Sequence, residues 1–269
     1  MPALLLLAAG CTVVASEPGG GGGGGGGDDG GGGGSSSGSS SGGSGSSGSS
    51  TGGGIIPDAG GACAPGNVST YQAGTYHPAS GAWQGACVPD ANGDPITAFY
   101  NECLGPEASI EHCNAYRETY AACSACLLTP PTAAKYGPLI DHGAFVTANV
   151  AGCLELAGDE QPDASQLFCA SAVQALDGCE TAACDANCPV HDAASLSAYE
   201  DCATTAETGG CQTFTTAAEC ATAEQDAGTL GAACLADFQT FYQVVAPVFC
   251  APPPDDAGVP GPAKDAAAE

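Results

Sequence analysis

Sixteen of the 17 cysteines fall between Cys63 and Cys250, one about every eleven or twelve residues. No other feature limits the chain as much. A reducing compartment rarely supports such usage unless the thiols hold metal, so the spacing must declare either ligand clusters or a disulfide framework. Only two pairs have chelating spacing, Cys123-x-x-Cys126 and Cys184-x-x-x-Cys188. A closed zinc site needs two such pairs suitably placed. The reading is therefore structural disulfides through Cys63, Cys87, Cys103, Cys113, Cys123, Cys126, Cys153, Cys169, Cys179, Cys184, Cys188, Cys202, Cys211, Cys220, Cys234 and Cys250. Which cysteine joins which is left open, because spacing does not fix connectivity.

Charge excludes a further class. The chain carries 30 acidic and 3 basic side chains, a formal −27. Affinity for phosphate backbones rests on Lys and Arg, so nucleic acid is not a partner. Most of that charge, about −21, belongs to residues 55–250, where Arg117 and Lys135 are the only cations. Self-repulsion of this size opposes compaction. Large apolar residues are sparse and alanine fills much of the rest, so a core here buries little area per residue at about 25 cal/mol/Å². Cross-links worth roughly 2–4 kcal/mol each offset both deficits.

The seventeenth cysteine stands apart. Residues 1–11 read Met-Pro-Ala-Leu-Leu-Leu-Leu-Ala-Ala-Gly-Cys, an apolar run closed by small residues and far too short to span a bilayer. Leu7-Ala8-Ala9-Gly10-Cys11 resembles the lipobox of bacterial lipoproteins. The resemblance implies cleavage before Cys11, a covalent lipid on its thiol as the only cofactor, and a membrane anchor. By the same family's sorting rule, Thr12 rather than Asp after the cysteine implies the outer membrane. Residues 1–10 are then a signal peptide and 11–17 the lipidated N-terminus. Between Pro18 and Gly54, 33 of 37 residues are Gly or Ser. Such a segment has no apolar surface to set against its conformational entropy and is expected to be a disordered leash, with a span of roughly 30–37 Å. The tail 251–269, rich in Pro, Ala and Asp, is expected to be disordered too.

Within 55–250 the cysteine spacing repeats approximately. Cys87, Cys103, Cys113, Cys123, Cys153 and Cys169 run in step with Cys188, Cys202, Cys211, Cys220, Cys234 and Cys250, with shared neighbours such as Cys-Leu and Phe-Cys. This predicts a tandem duplication with units 87–169 and 188–250. Helical periodicity predicts one helix over Glu107–Leu128 from Ile110, Cys113, Tyr116, Tyr120, Cys123 and Leu127. It predicts others over Phe145–Ala157, from Asp163 through Leu176, and over Leu230–Val245 with Pro247 as the stop. Asp94-Pro95 reads as an N-cap followed by proline, and Ser197-x-x-Glu200 as a capping box. Cys63–Cys87 reads as loop or a short hairpin. The expected fold is mainly α: a disulfide-rich helical domain built from an approximate tandem duplication, behind a long disordered N-terminal linker.

Candidate chemistry is thin. Cys123-x-x-Cys126 as a redox pair needs a low-pKa thiolate, yet it falls late in a predicted helix, where the macrodipole disfavours one. Asp90-Ala-Asn92-Gly-Asp94 begins like a calcium loop, but Pro95 stands where glycine is required and Asn101 where Glu is required. His77, His112, His142 and His191 are scattered, with no His-Glu-x-x-His. Trp83 with Tyr71 and Tyr76 offers an aromatic contact patch or plain packing. The gaps Cys103-x9-Cys113-x9-Cys123 and Cys169-x9-Cys179 are similar in spacing alone to bridged twin Cys-x9-Cys hairpins.

The chain as a whole resembles cysteine-rich lipoproteins of high-GC Gram-negative bacteria. The expectation is a lipid-anchored envelope protein, extracytoplasmic and attached to the outer membrane. It would display an acidic, non-enzymatic binding or adhesion module for a protein or glycan ligand. The alternative is a thiolate-based metal-binding or metal-storage protein of the envelope. No catalytic constellation is legible.

Overall fold

A computed structural model describes residues 63–157, 164–224 and 228–254. The signal segment, Cys11, the Gly/Ser leash 18–54 and the tail from residue 255 lie outside the described residues. The described part is mainly helical. In order come α1 (Pro95–Phe99), a π-helical turn (Tyr100–Leu104), α2 (Ile110–Thr119) and α3 (Ala121–Leu127). A small sheet follows, from β1 (Leu128–Thr129), β2 (Leu139–Asp141) and β3 (Val146–Ala148). Then come α4 (Val150–Ala157), α5 (Ala164–Cys184), α6 (Ala193–Thr208), α7 (Gln212–Ala218), α8 (Ala221–Glu224), α9 (Thr229–Cys234) and α10 (Phe238–Cys250). No described helix is long and apolar enough to cross a membrane.

Local sequence starts several helices as expected. Asp94 accepts from the amides of Ile96 and Thr97 at 3.2 Å, and Pro95 occupies the first helical position. Asp237 caps α10 in the same way through Thr240. In α10 the stripe Phe238, Phe241, Tyr242, Val245 and Phe249 is buried throughout, with Tyr242 donating to the carbonyl of Ile96 at 2.7 Å.

Four expectations are corrected. The stripe over Glu107–Leu128 is two helices, broken at Tyr120 (φ −119°, ψ 49°). Cys113 ties α2 to the π-helical turn through Cys103, while α3 is tied through Cys123 to Cys87 and through Cys126 to Cys250. The capping box at α6 is not Ser197-x-x-Glu200 but Asp192 with Ser195, each side chain bonded to the other's amide at 2.8–2.9 Å. That earlier start brings Leu196 and Tyr199 onto the buried face. The segment expected as one helix over Phe145–Ala157 opens with β3, whose Val146 and Thr147 are β-branched, and turns helical only at Val150.

The fourth correction concerns Leu230–Val245 and its stop. This stretch splits into α9 and α10 at the Asp237 cap, and Pro247 does not end α10. The ring removes one amide donor. The helix nevertheless runs on to Cys250, because Phe249 is fully buried and Cys250 is bridged to Cys126. Its last carbonyls would be orphans. The loop before Cys87 supplies donors: Trp83 N to Val248 O at 2.6 Å, Gln84 N to Phe249 O at 3.0 Å and Cys87 N to Cys250 O at 2.9 Å. To do so Trp83 adopts φ 55°, the left-handed region that side chains rarely occupy.

Eight disulfides join the sixteen cysteines. Three of them, Cys184–Cys202, Cys179–Cys211 and Cys169–Cys220, run along α5 and lash it to α6 and to the chain that follows. Connectivity does not copy itself along the two series of similar spacing. Cys87 pairs with Cys123 and Cys103 with Cys113, whereas Cys188 pairs with Cys63 and Cys202 with Cys184. Cys153–Cys234 joins positions that correspond under the repeat. The Cys63–Cys87 segment is irregular; beyond its two disulfides and its bonds to the end of α10, it makes a short parallel bridge between Ala79 and Tyr136.

Asn149 joins sheet and helix. It is 2 % exposed, its Oδ1 accepts from Gly152 N and its Nδ2 donates to Gly137 O, both at 2.8 Å. A Cβ at Gly152 would collide with that amide, which explains a glycine inside α4. Asn149→Ala removes the helix cap and orphans the Gly137 carbonyl. It is expected to cost roughly 2–3 kcal/mol in urea unfolding monitored by circular dichroism, with the disulfides intact.

Candidate functional site

The lashing of α5 to its neighbours leaves a cleft along one side of that helix. Two cavities make it up, of about 560 Å³ and about 140 Å³. They share Ile140, His142, Gln174, Asp177 and Thr181 in their walls. The larger lies within the range of small-molecule sites, and its walls are aromatic, from Tyr76, His77, Tyr136, Phe168 and Phe214.

The walls are anchored. Gln174 on α5 accepts from His77 N at 2.7 Å and donates to His77 O at 3.0 Å, holding that strand of loop as a sheet neighbour would. The His77 ring stacks on Tyr136 at 4.7 Å with the planes 3° apart. Glu155 on α4 takes the Tyr76 hydroxyl at 2.8 Å and the Ala79 amide at 2.7 Å on one oxygen. Tyr71 reaches across α5 to the Ala175 carbonyl and meets Phe214 edge-on at 5.3 Å. Opposite, His142 stacks on Phe145 at 4.7 Å and its Nε2 meets Thr147 Oγ1 at 3.0 Å.

Carboxyl groups occupy the floor. Asp177 and Glu180 stand one turn apart on α5, facing Glu207 of α6. Burial pushes Glu180 from its ordinary 4.5 up to about 9, aided by the nearby Asp177 and Glu207 charges and by its hydrogen bond to Glu207. Glu180 therefore keeps its proton and donates it, while Glu207 accepts and is itself raised by burial. Asp177 is raised chiefly by burial; Asp185 adds to the effect and His142 opposes it. Burial also raises the phenol of Tyr199, which borders the smaller cavity. The arrangement can store protons at neutral pH and can receive a cation in their place.

The residues singled out from sequence are dispersed differently. His77 and His142 both line the larger cavity, whereas His112 pairs with Glu102 at 3.4 Å and His191 lies beside Asp192 on the surface. Tyr76 lines the cleft and Tyr71 packs at its edge, but Trp83 is spent on the end of α10. Arg117 is paired with Asp141 at 3.5 Å, and Lys135 is exposed. Asp90 holds its own turn through Asn92 N at 2.7 Å, and Asp94 is committed to capping α1, so the calcium-like run forms a capped turn. Cys123 and Cys126 bond to different partners, as do Cys184 and Cys188. Among the described residues, the one convergence of three metal-ligating atoms is Cys63, Cys188 and Cys202, and all three are in disulfides.

The floor carboxyls were not among the sequence candidates, though a signal existed. Glu207 continues the stripe Leu196, Tyr199, Ala203 on α6, and Glu180 lies between the buried Cys179 and Ala183 of α5. Acids on buried faces are rare unless paired, and these two are paired with each other. Compared with known families, curated proteins and solved structures, the chain matches none.

Glu180 binds a proton in the folded chain and gives it up in the unfolded chain between pH 4.5 and about 9. The folded state thus holds more protons across that window, and its stability falls as pH rises through it. Melting temperatures from pH 5 to 9 are expected to decline steadily. Glu180→Gln, which keeps the hydrogen bond without the titration, is expected to melt higher than wild type at pH 8 and to show a flatter profile.

Proposed function

We propose that the chain is a lipid-anchored protein of the cell envelope, held by Cys11 and the Gly/Ser leash, whose acidic module binds its ligand in the cleft on α5. The observation that carries the binding role is the cleft itself: a cavity of about 560 Å³, aromatic-walled, floored by carboxyls and fixed in shape by covalent bonds. Rigid walls lower the ordering cost of binding. Eight disulfides fit an oxidising, extracytoplasmic setting. The anchor and the outer-membrane address rest on the lipobox resemblance. The reading is binding rather than turnover: the hydroxyl–imidazole contact on the walls, Thr147 Oγ1 with His142 Nε2 at 3.0 Å, has no third group hydrogen-bonded to the imidazole among the described residues. The alternative, metal handling by thiolates, would require opening bridges first, since each cysteine from Cys63 onward has its sulfur bonded.

Two measurements test the two halves of this proposal. In a cell that processes lipoproteins, Cys11→Ala is expected to move the protein from the membrane pellet to the soluble fraction; retention in the pellet would refute the anchor. For the cleft, a thermal-shift panel of amines, oligosaccharides, short peptides and metal salts is run on wild type and on Ala175→Trp, which fills the larger cavity. Ligand at a hundredfold over its Kd adds about 2.7 kcal/mol to stability. At least one class is expected to raise the wild-type melting temperature and not that of the variant. Equal shifts in both proteins, or none in either, would refute a binding cleft.

A further inference from the structure

The cleft carboxyls face no Lys or Arg among the described residues, and the basic group acting on Asp177 is the His142 imidazole. Asp177, Asp185, Glu180 and Glu207 border the two cavities, yet the only cations among the described residues are Arg117 and Lys135, and neither lines the cleft. Arg117 is engaged with Asp141 outside it. Asp177 is half-buried, borders both cavities and feels the His142 imidazole and the Asp185 carboxylate. A half-buried carboxyl that faces a cavity with no Lys or Arg beside it is open to a cation arriving from outside.

The geometry also limits what that partner can be. A metal ion needs several oxygens converging on one point. Among the described residues, no three carboxyl or imidazole groups bring ligating atoms within 4.8 Å of one another. The acids are instead strung out along α5 and across to α6, so a point charge cannot satisfy them together, whereas charges spaced along a chain can. The walls add a second requirement. Tyr76, the stacked His77–Tyr136 pair, Phe214 and the 63 % exposed Phe168 offer apolar surface and ring faces, which favour alkyl segments and ammonium groups. Hydrated calcium gains nothing from such walls.

We propose that the cleft is a site for a linear organic polyamine, its ammonium groups taken by Asp177 and the neighbouring floor carboxyls and its alkyl spacers gripped by the aromatic wall. This rests on the reading of the module as a ligand binder and names the ligand class. The acidic surface concentrates the cation near the mouth, and the floor selects one with spaced charges. Burial raises Asp177, Glu180 and Glu207 above their ordinary values, and an ammonium group set beside them favours their ionised forms.

Isothermal titration calorimetry on the full chain in detergent, at physiological ionic strength, tests this with spermidine, butylamine and calcium chloride as probes. Spermidine is expected to bind with a saturable stoichiometry of one, at least tenfold more tightly than butylamine, and to remain bound in excess calcium. Asp177→Asn is expected to weaken it tenfold or more, and Phe168→Ala, at an exposed rim position that folding does not need, about threefold. Asp201→Asn, an exposed acid of α6 away from the cleft, is expected to change nothing. Equal weakening by Asp177→Asn and Asp201→Asn would reduce the interaction to diffuse attraction and overturn the site, as would displacement of spermidine by equimolar calcium. No saturable binding of spermidine, alongside another panel compound that shifts wild type and not Ala175→Trp, would overturn the amine and leave the binding cleft standing. Absence of every cleft-dependent ligand would sink both.

Discussion

Covalent cross-linking is the constraint on which the rest of this molecule depends. An ordinary domain balances chain entropy with buried apolar area. Here the large buried side chains are concentrated in a few places, Phe99, Leu104, Leu127, Leu139, Leu154 and the inner face of α10, while α5 and α6 present mostly alanine and cysteine to each other. Eight bridges restrict the unfolded chain instead, three of them across 81 to 125 residues of sequence. The same bridges hold acidic elements together against their repulsion. Cys179–Cys211 and Cys184–Cys202 flank the Glu180–Glu207 contact, so two carboxyls that would drive free helices apart are pressed into a shared hydrogen bond. The candidate site exists because covalent bonds override electrostatics there.

The end of α10 shows the same logic on a smaller scale. A proline three residues before the last helical residue should weaken the final turn. That turn survives because its carbonyls are received by the amides around Trp83 and its last residue is bonded to Cys126. The loop in turn gains a fixed course from these contacts, at the expense of a left-handed backbone at Trp83. Neither element is stable alone by local rules. The sulfur bridge fixes both near each other, and hydrogen bonding completes the arrangement.

What was legible in the sequence follows from this division. Features decided by nearest neighbours could be read: the Asp94-Pro95 start, the long helix beginning after Asp163, the apolar stripe of α10 and the irregular run after Cys63. Features decided by a distant partner could not. The break at Tyr120, the passage through Pro247, β3 paired to β2 and the true start of α6 each depend on a bridge, a strand or a buried face elsewhere in the chain. Cysteine spacing suggested two equivalent units, but pairing follows spatial neighbours rather than spacing, and the two series are wired differently. The cleft was the least legible part. Its floor comes from acids that look like ordinary surface charge until α5 and α6 are laid side by side, and two of its histidines come from loops far apart in sequence.

The charge of the folded module then acquires a more specific meaning than self-repulsion. Counting every carboxyl as ionised overstates it, because burial keeps the proton on Glu180 and raises Asp177 and Glu207. The exposed acids set the field outside, and the half-buried ones hold their protons more tightly than free carboxyls do. A surface of ionised carboxylates alone would attract any cation and retain none selectively, since screening weakens such attraction beyond about 8–10 Å. A floor of carboxyls with raised proton affinity behind an aromatic wall is different. On the proposed reading, it gives little to an ion that cannot shed its water and favours a ligand that brings positive charge while burying its own apolar surface. On the proposed reading, the separation of acids into an outer field and an inner floor is what distinguishes this cleft from a merely acidic surface.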